Sequence, residues 1–249
     1  MTAHNQPFKR IILLGGSSEI GLAIVDQTSA PHAAICLVGR SSSKQTAAAH
    51  LLRGKGHTVT EATYNTTMTL NETHDVLLNA QNLIGGTTSP VDAVIMAIGT
   101  MGEPQTPETT LTTNLVGPAL LIRSSQRLLA SQGSGTLIVL SSAAAVRPRE
   151  AILDYAIAKQ GIDTLVRTTT ASMTAQGVRT LLVRPGFVST PMTAHLTPPP
   201  LASTPQATGH QVAQALRSGK SVVWVPKKMR WAILLLRILP RPVLPPALR

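Results

Sequence analysis

A doubly wound α/β domain, with seven parallel strands and helices on both faces, is the fold that the sequence predicts, and three observations predict it. Seven short apolar runs recur along the 249 residues, longer segments with helical spacing lie between them, and the first run empties into a glycine-rich turn. Each parallel strand needs a crossover, and a helix is the usual one.

The strands are read in order from the runs RIILL (10–14), AICLV (34–38), TVTEAT (58–63), VDAVIMAI (91–98), GTLIVL (135–140), VRTLLV (178–183) and SVVWV (221–225). Each is too short for a core helix and is bounded by turn-forming residues. The segment 185–209, PGFVSTPMTAHLTPPPLASTPQATG, is rich in Pro and Thr and reads as a lid or binding loop. Residues 1–225 form one domain, and 226–249 a basic, apolar tail of it.

A hydrophobic content of 43% supplies one sizeable core. The formal net charge is +11, yet only 13% of residues are charged, so the excess reflects scarce acids as much as abundant bases. Basic side chains are scattered except near the C-terminus, and aromatics make up 2%. Nucleic-acid binding needs a concentrated basic face with stacking aromatics, so no nucleic acid is expected as partner. An anionic substrate, cofactor or membrane surface fits the charge. Cys36, the one cysteine, reads as a core residue, which excludes an intramolecular disulfide and a cysteine-rich metal site; no metal is expected. The apolar run after Lys9 and Arg10 is too short for an export signal. The most apolar stretch, WAILLLRIL, contains Arg237 and falls short of the ~20 residues that cross a bilayer. The expected location is cytoplasmic or peripheral on a membrane, with the periplasmic side left open.

Glycine weakens strand and helix alike, so Gly15, Gly16 and Gly21 between the two need a reason. Amides at the N-terminus of the following helix carry positive partial charge, and glycines let a pyrophosphate come close. A turn that only packs helix on strand would use the same residues, and the turn alone leaves both readings open. Further along, LDYAIAKQG places Tyr155 and Lys159 on one face of a helix. Ser141 and Ser142 end the fifth strand, AIG at 97–99 follows the fourth, Asn114 stands in TTNLVGPALL, and RPGFVSTPM at 184–192 follows the sixth.

Together and in this order, these motifs resemble the short-chain dehydrogenase/reductases over residues 8 to about 225. The resemblance implies a Rossmann-type fold and a nicotinamide-dependent oxidoreductase. It implies a glycine turn of Gly15, Ser17, Ile20 and Gly21, and a catalytic tetrad of Asn114, Ser142, Tyr155 and Lys159. Tyr155 and Lys159 would also touch the cofactor, with Pro185, Val188 and Thr190 holding the nicotinamide. Met96-Ala97-Ile98-Gly99 stands where the family has Asn-Asn-Ala-Gly, so the asparagine contact is not carried over, while the close backbone approach at Gly99 is. Asn65 stands where the family commonly has an Asp beside the adenine.

The chemistry asks for these residue types. Hydride transfer to a carbonyl carbon needs an acid for the oxygen, and Tyr155 is placed for it. A phenol near neutrality needs a neighbouring cation, Lys159, which also bonds the nicotinamide ribose. Ser142 would hydrogen-bond the oxygen as charge develops, and Asn114 would hold a water linking Lys159 to solvent. At the end of the second strand, CLVGRSSSK has Arg40 and no acid, which favours NADPH over NADH, with Arg40 and Ser41 or Lys44 on the 2′-phosphate. Arg40 stacked on the adenine would permit either cofactor.

The turn GGSSEIGLAI, the segment RPGFVSTPMTAHL and the C-terminal run from Lys220 further resemble the decaprenylphosphoryl-2-keto-erythro-pentose reductases of mycobacteria. That resemblance implies a polyprenylphosphoryl keto-sugar substrate, reduction to decaprenylphosphoryl-arabinose for cell-wall arabinan as the second half of an epimerisation, and a separate flavin-dependent oxidase as partner. Lys227, Lys228, Arg230 and Arg237 surround Met229, Trp231, Ile233, Leu234, Leu235, Leu236 and Ile238, a pattern suited either to an anionic lipid surface or to packing on the domain or a partner subunit. A ketoreductase of another lipid or acyl substrate, a cofactor-binding regulator without turnover, and a homo-oligomer remain open.

Overall fold

The computed structural model describes residues 6–40, 42–101 and 106–238. Its strands are β1 (Phe8–Leu14), β2 (Ser29–Gly39), β3 (Thr58–Thr63), β4 (Ala93–Met96), β5 (Thr136–Leu140), β6 (Arg179–Pro185) and β7 (Val222–Val225). They form one parallel sheet in the order β3-β2-β1-β4-β5-β6-β7. The helices are α1 (Glu19–Thr28), α2 (Ser43–Gly54), α3 (Leu70–Leu83), α4 (Pro107–Leu111), α5 (Gly117–Ser131), α6 (Leu153–Ala175), α7 (Pro205–Arg217) and α8 (Met229–Ile238).

The period of two in the strands sorts their side chains into two cores. Ile12, Leu14, Cys36, Val38, Val94, Met96, Leu137 and Val139 point to one face, where α3, α5 and α6 contribute Leu77, Leu121, Ile162 and Val166. Ile11, Leu13, Ile35, Leu37, Ile95, Ile138 and Leu181 point to the other, against Ile24 and Val25 of α1, Leu52 of α2 and Val212 of α7. Strands buried on both faces read as unbroken apolar runs, which is how the sequence displays them. Cys36 is a core residue as expected, its thiol pushed up to about 11 by burial.

Strand order reverses between β1 and β4, and in open α/β sheets the crevice beyond the strand ends at such a point takes the ligand. Leu14, Gly39, Met96, Leu140 and Pro185 all end their strands at that edge.

Three boundaries differ from the sequence reading. Strand β2 begins at Ser29, directly after α1, because Pro31 and the left-handed His32 (φ 55°) are absorbed as a register shift between Phe8↔Ser29 and Arg10↔Ala34. Strand β4 is shorter than 91–98. Just before it, the Asp92 backbone still bonds Arg10 O and the Thr136 N–H, and its carboxylate accepts from the N–H groups of Lys9 and Arg10 at 2.7 and 2.8 Å. The loop 185–209 is also shorter, since Thr204 caps α7 and Pro205 opens it. Within 186–204 lie a 3₁₀ turn, Pro191–Thr193, and a bridge between Val188 and Ser203. No helix among the described residues is long and apolar enough to cross a membrane.

Helices α1 and α7 cross at Gly209, where an added Cβ would collide with the carbonyl oxygen of Ala23. Backbone cannot rotate away as a side chain can. Gly209→Ala should therefore destabilise the fold by about 2 kcal/mol, the usual size of an overpacking penalty, as read by urea denaturation.

Candidate active site

The glycine turn is built for close approach. Gly15 has φ 94°, and a Cβ there would stand 2.9 Å from the carbonyl carbon of Ala97. The N–H groups of Gly15 and Gly16 both bond Val38 O, at 2.8 and 3.1 Å, tying the turn to the end of β2. Ser18 caps α1 by accepting from the Gly21 N–H at 3.2 Å, a role that the two serines before an apolar run could have announced. Ser17 is exposed and Ile20 half-buried. The first-turn amides of α1 have no intrahelical acceptors and face the crevice, which fits a dinucleotide pyrophosphate.

Helix α6 carries Tyr155 and Lys159 one turn apart. Ser142, at the end of β5, hydrogen-bonds the Tyr155 phenol and also accepts from the Ala144 N–H at 3.1 Å, which fixes its rotamer. Lys159 is only 5% exposed, and its Nζ donates to Ile98 O and Leu140 O at 3.4 and 3.3 Å. Burial pushes this ammonium down to about 8. Its Nζ also lies 5.8 Å from the Tyr155 ring centroid.

Burial raises the Tyr155 phenol above its ordinary value, and the Ser142 hydrogen bond lowers it in part. Two of the three Lys159 ammonium protons go to backbone carbonyls, and the third has no acceptor among the described residues.

Asn114 is fully buried in a π-helical segment, Thr112–Val116, between α4 and α5. Its Oδ1 accepts from the Thr100 N–H at 2.9 Å and its Nδ2 donates to Thr110 O at 2.9 Å. The side chain is thus engaged with backbone, and any water it holds would sit on its own carbonyl. Pro118, four residues on, has no N–H to occupy that carbonyl. Gly99 is fixed by the same pair, since a Cβ there would stand 3.1 Å from Asn114 Oδ1 and 3.2 Å from Lys159 Nζ.

A second layer was not foreseen. Asp163, two turns beyond Tyr155 on α6, accepts from Ser141 Oγ at 3.0 Å, from Arg167 at 2.9 Å, and from Arg184 through two bonds of 2.8 and 2.7 Å. Burial alone would raise its carboxyl. The Arg184 bonds and charge, with Ser141 and Arg167, outweigh that and hold it below the usual carboxylate range. The 4-residue spacing from Tyr155 through Lys159 to Asp163 was the available signal.

At the nicotinamide side, Pro185 ends β6 and Thr190 opens the 3₁₀ turn, its N–H bonded to Thr193 Oγ1 at 3.1 Å. Val188 is buried, and its carbonyl accepts from Thr193 Oγ1 at 2.7 Å. Glu19, Phe187, Ser189, Thr190 and Leu196 line a cavity of about 310 Å³ between the start of α1 and the segment after β6. At the adenosine side, Arg40 and Lys44 are exposed, and Arg40 makes no ion pair among the described residues. Ser41 lies outside the described residues. Asn65 is exposed and accepts from the Thr67 N–H at 3.3 Å, closing a turn after β3.

A family model described as short chain dehydrogenase matches residues 9–200. An uncharacterized oxidoreductase of Mycobacterium tuberculosis is 30% identical over 241 residues, covering 93% of this chain and 94% of that protein. Another, of Streptomyces coelicolor, is 33% identical over 252 residues and 95% of each chain. The solved structure of a short-chain type dehydrogenase/reductase from Mycobacterium ulcerans has a TM-score of 0.76 at 19% identity, covering 95% of this chain and 98% of its own. Fold, glycine turn and the Ser142–Tyr155–Lys159 cluster thus define an NAD(P)-dependent oxidoreductase. The chain belongs to the short-chain dehydrogenase/reductases.

Two outcomes follow from this geometry. Tyr155→Phe should lower turnover by at least ~100-fold while cofactor affinity stays within about twofold, as steady-state rates and cofactor titration would read. Lys159 releases its proton at about 8 when folded and at ~10.4 when unfolded, so below pH 8 its burial costs stability, and that cost fades as pH rises toward 10. Lys159→Met should therefore gain about 1–2 kcal/mol in urea denaturation at pH 7 and lose that advantage by about pH 10, while its turnover collapses.

Proposed function

We propose that the protein reduces the 2-ketone of a polyprenylphosphoryl pentose to the secondary alcohol, with NADPH as the preferred reductant, the substrate being decaprenylphosphoryl-2-keto-erythro-pentose. The observation that carries this reading is the surface beside the crevice. Trp231 (65% exposed), Leu234 and Leu235 stand out on α8, with Lys228 and Arg230 also exposed beside them. Met192, Leu196 and Leu201 are exposed on the lid. Helix α8 abuts the nicotinamide segment, because the Met229 side chain occupies the space above Gly186. An apolar rim with cations suits a lipid tail and its phosphate. The side chains of Leu236, Arg237 and Ile238 and residues 239–249 lie outside the described residues.

The helix packs on the domain by one face and leaves another exposed. Ile233 packs inward, Lys227 donates to Gln214 Oε1 at 2.6 Å, and the opposite face is free for a lipid surface.

When bound, the nicotinamide supplies the hydride. Tyr155 donates the phenolic proton to the ketone oxygen, Ser142 hydrogen-bonds that oxygen as charge builds, and Lys159 stabilises the tyrosinate left behind. Arg40, exposed and without an ion-pair partner among the described residues, supports the choice of NADPH. The ketone would come from a separate flavin-dependent oxidase.

Reconstitution with decaprenylphosphoryl ribose tests the assignment. The protein with NADPH should do nothing alone, the oxidase alone should accumulate ketone, and the two together should yield the arabinose epimer. Failure to consume purified ketone with either nicotinamide cofactor would leave a ketoreductase of another lipid or acyl substrate as the reading.

A further inference from the structure

The sequence around α2 reads Ser42-Ser43-Lys44-Gln45, the pattern of a capping box, in which the glutamine normally reaches back to the cap N–H. Half of the box forms, with the Gln45 N–H bonding Ser42 Oγ at 3.3 Å. The side chain goes elsewhere. It turns inward, 3% exposed, and Nε2 donates to Leu37 O at 3.3 Å, within β2.

That bond fixes the amide. A flip would set the amide oxygen against the Leu37 carbonyl, so Oε1 is the atom that faces away from the strand. Oε1 lies where a Cβ on Gly39 would stand 2.6 Å from it and a Cβ on Gly16 3.0 Å. It therefore occupies the notch between the end of β2 and the glycine turn. It has no hydrogen-bond donor among the described residues, yet it is not among the polar atoms sealed from solvent, such as the Tyr64 hydroxyl.

An acid at the end of the second strand bonds the ribose 2′-hydroxyl of NAD, and here that position is Gly39. We propose that Gln45 reads the ribose 2′-hydroxyl of the cofactor, supplying from α2 the acceptor that β2 lacks, and so admits NADH beside NADPH. The inference rests on the dinucleotide reading of the site and is independent of the role given to Arg40. An uncharged acceptor bonds a hydroxyl without the full repulsion that a carboxylate would exert on a 2′-phosphate. Arg40 and Gln45 then act on opposite cofactors.

Dissociation constants measured by titrating NADH and NADPH into the whole protein test this without turnover. Gln45→Leu should weaken NADH by about tenfold, the value of one hydrogen bond, and leave NADPH within about twofold. Gln45→Glu should keep NADH and weaken NADPH by at least about tenfold, through like charge beside the phosphate. Wild type should bind the 2′-deoxyadenosine analogue of NADH about tenfold more weakly than NADH, and that penalty should vanish in Gln45→Leu. Equal loss of both cofactors in Gln45→Leu would make the side chain a prop for the glycine turn and overturn the proposal, as would equal wild-type affinity for NADH and its deoxy analogue. If wild type bound neither cofactor, the dinucleotide site itself would fall, and the proposal with it. Arg40→Ala, titrated in parallel, separates a phosphate contact, lost with NADPH alone, from stacking on the adenine, lost with both cofactors.

Discussion

One desolvated ammonium organises the crevice. Lys159 is almost wholly buried, and a cation in that position must be surrounded by acceptors. It finds them in the carbonyls of Ile98 and Leu140, just beyond β4 and at the end of β5, which are neighbours in the sheet. The long helix α6 is thereby clamped across two strand ends. The close approach leaves no room for a side chain at residue 99, and Gly15 needs the same economy where the first turn meets Ala97 and Ile98. The backbone from 97 to 99 is thus pressed from one side by the glycine turn and from the other by Lys159 and Asn114. The glycine turn and the Lys159 face of α6 therefore share one wall.

A second charge supports the first from behind. Asp163 follows Lys159 by one turn and grips Ser141, the neighbour of Ser142, together with Arg184, the neighbour of Pro185. One carboxylate therefore fixes the backbone beside both Ser142 and Pro185. Arg184 also lies over the Trp224 ring at 5.1 Å, which carries the constraint to β7. A buried carboxylate with this many donors is costly to break, because removing it would strand Arg184 in a site with little water.

The sheet was legible in the sequence because strands buried on both faces appear as uninterrupted apolar runs, and the site was legible because its residues sit at strand ends and on one helix face. What escaped has particular causes. The early start of β2 was hidden by Pro31 and His32, residues that usually end a strand and here form a bulge. The start of α7 was hidden in a Pro-rich segment, although Thr204-Pro205 is itself a cap followed by a favoured first residue. Gln45 drew no notice because its spacing from Ser42 fits a capping box, yet it shares the inward face of α2 with Ala48, Ala49 and Leu52. The protonation behaviour of Tyr155 was out of reach because it depends on burial, which no spacing rule reports.

Helix α8 packs directly on the segment that follows β6. Met229 rests in the space that Gly186 leaves by having no Cβ, and Gly186 itself donates its N–H to Val225 O at 2.7 Å. The segment from Pro185 to Thr190 is thus held on one side by β7 and α8, and on the other by the bridge from Val188 to Ser203. A ligand or surface that engages Trp231, Leu234 and Leu235 pushes on a helix whose first residue touches the nicotinamide segment. Packing at close contact transmits such a push because neither side can yield without opening a void. Gly186 is therefore the point at which α8 and the segment after β6 are coupled.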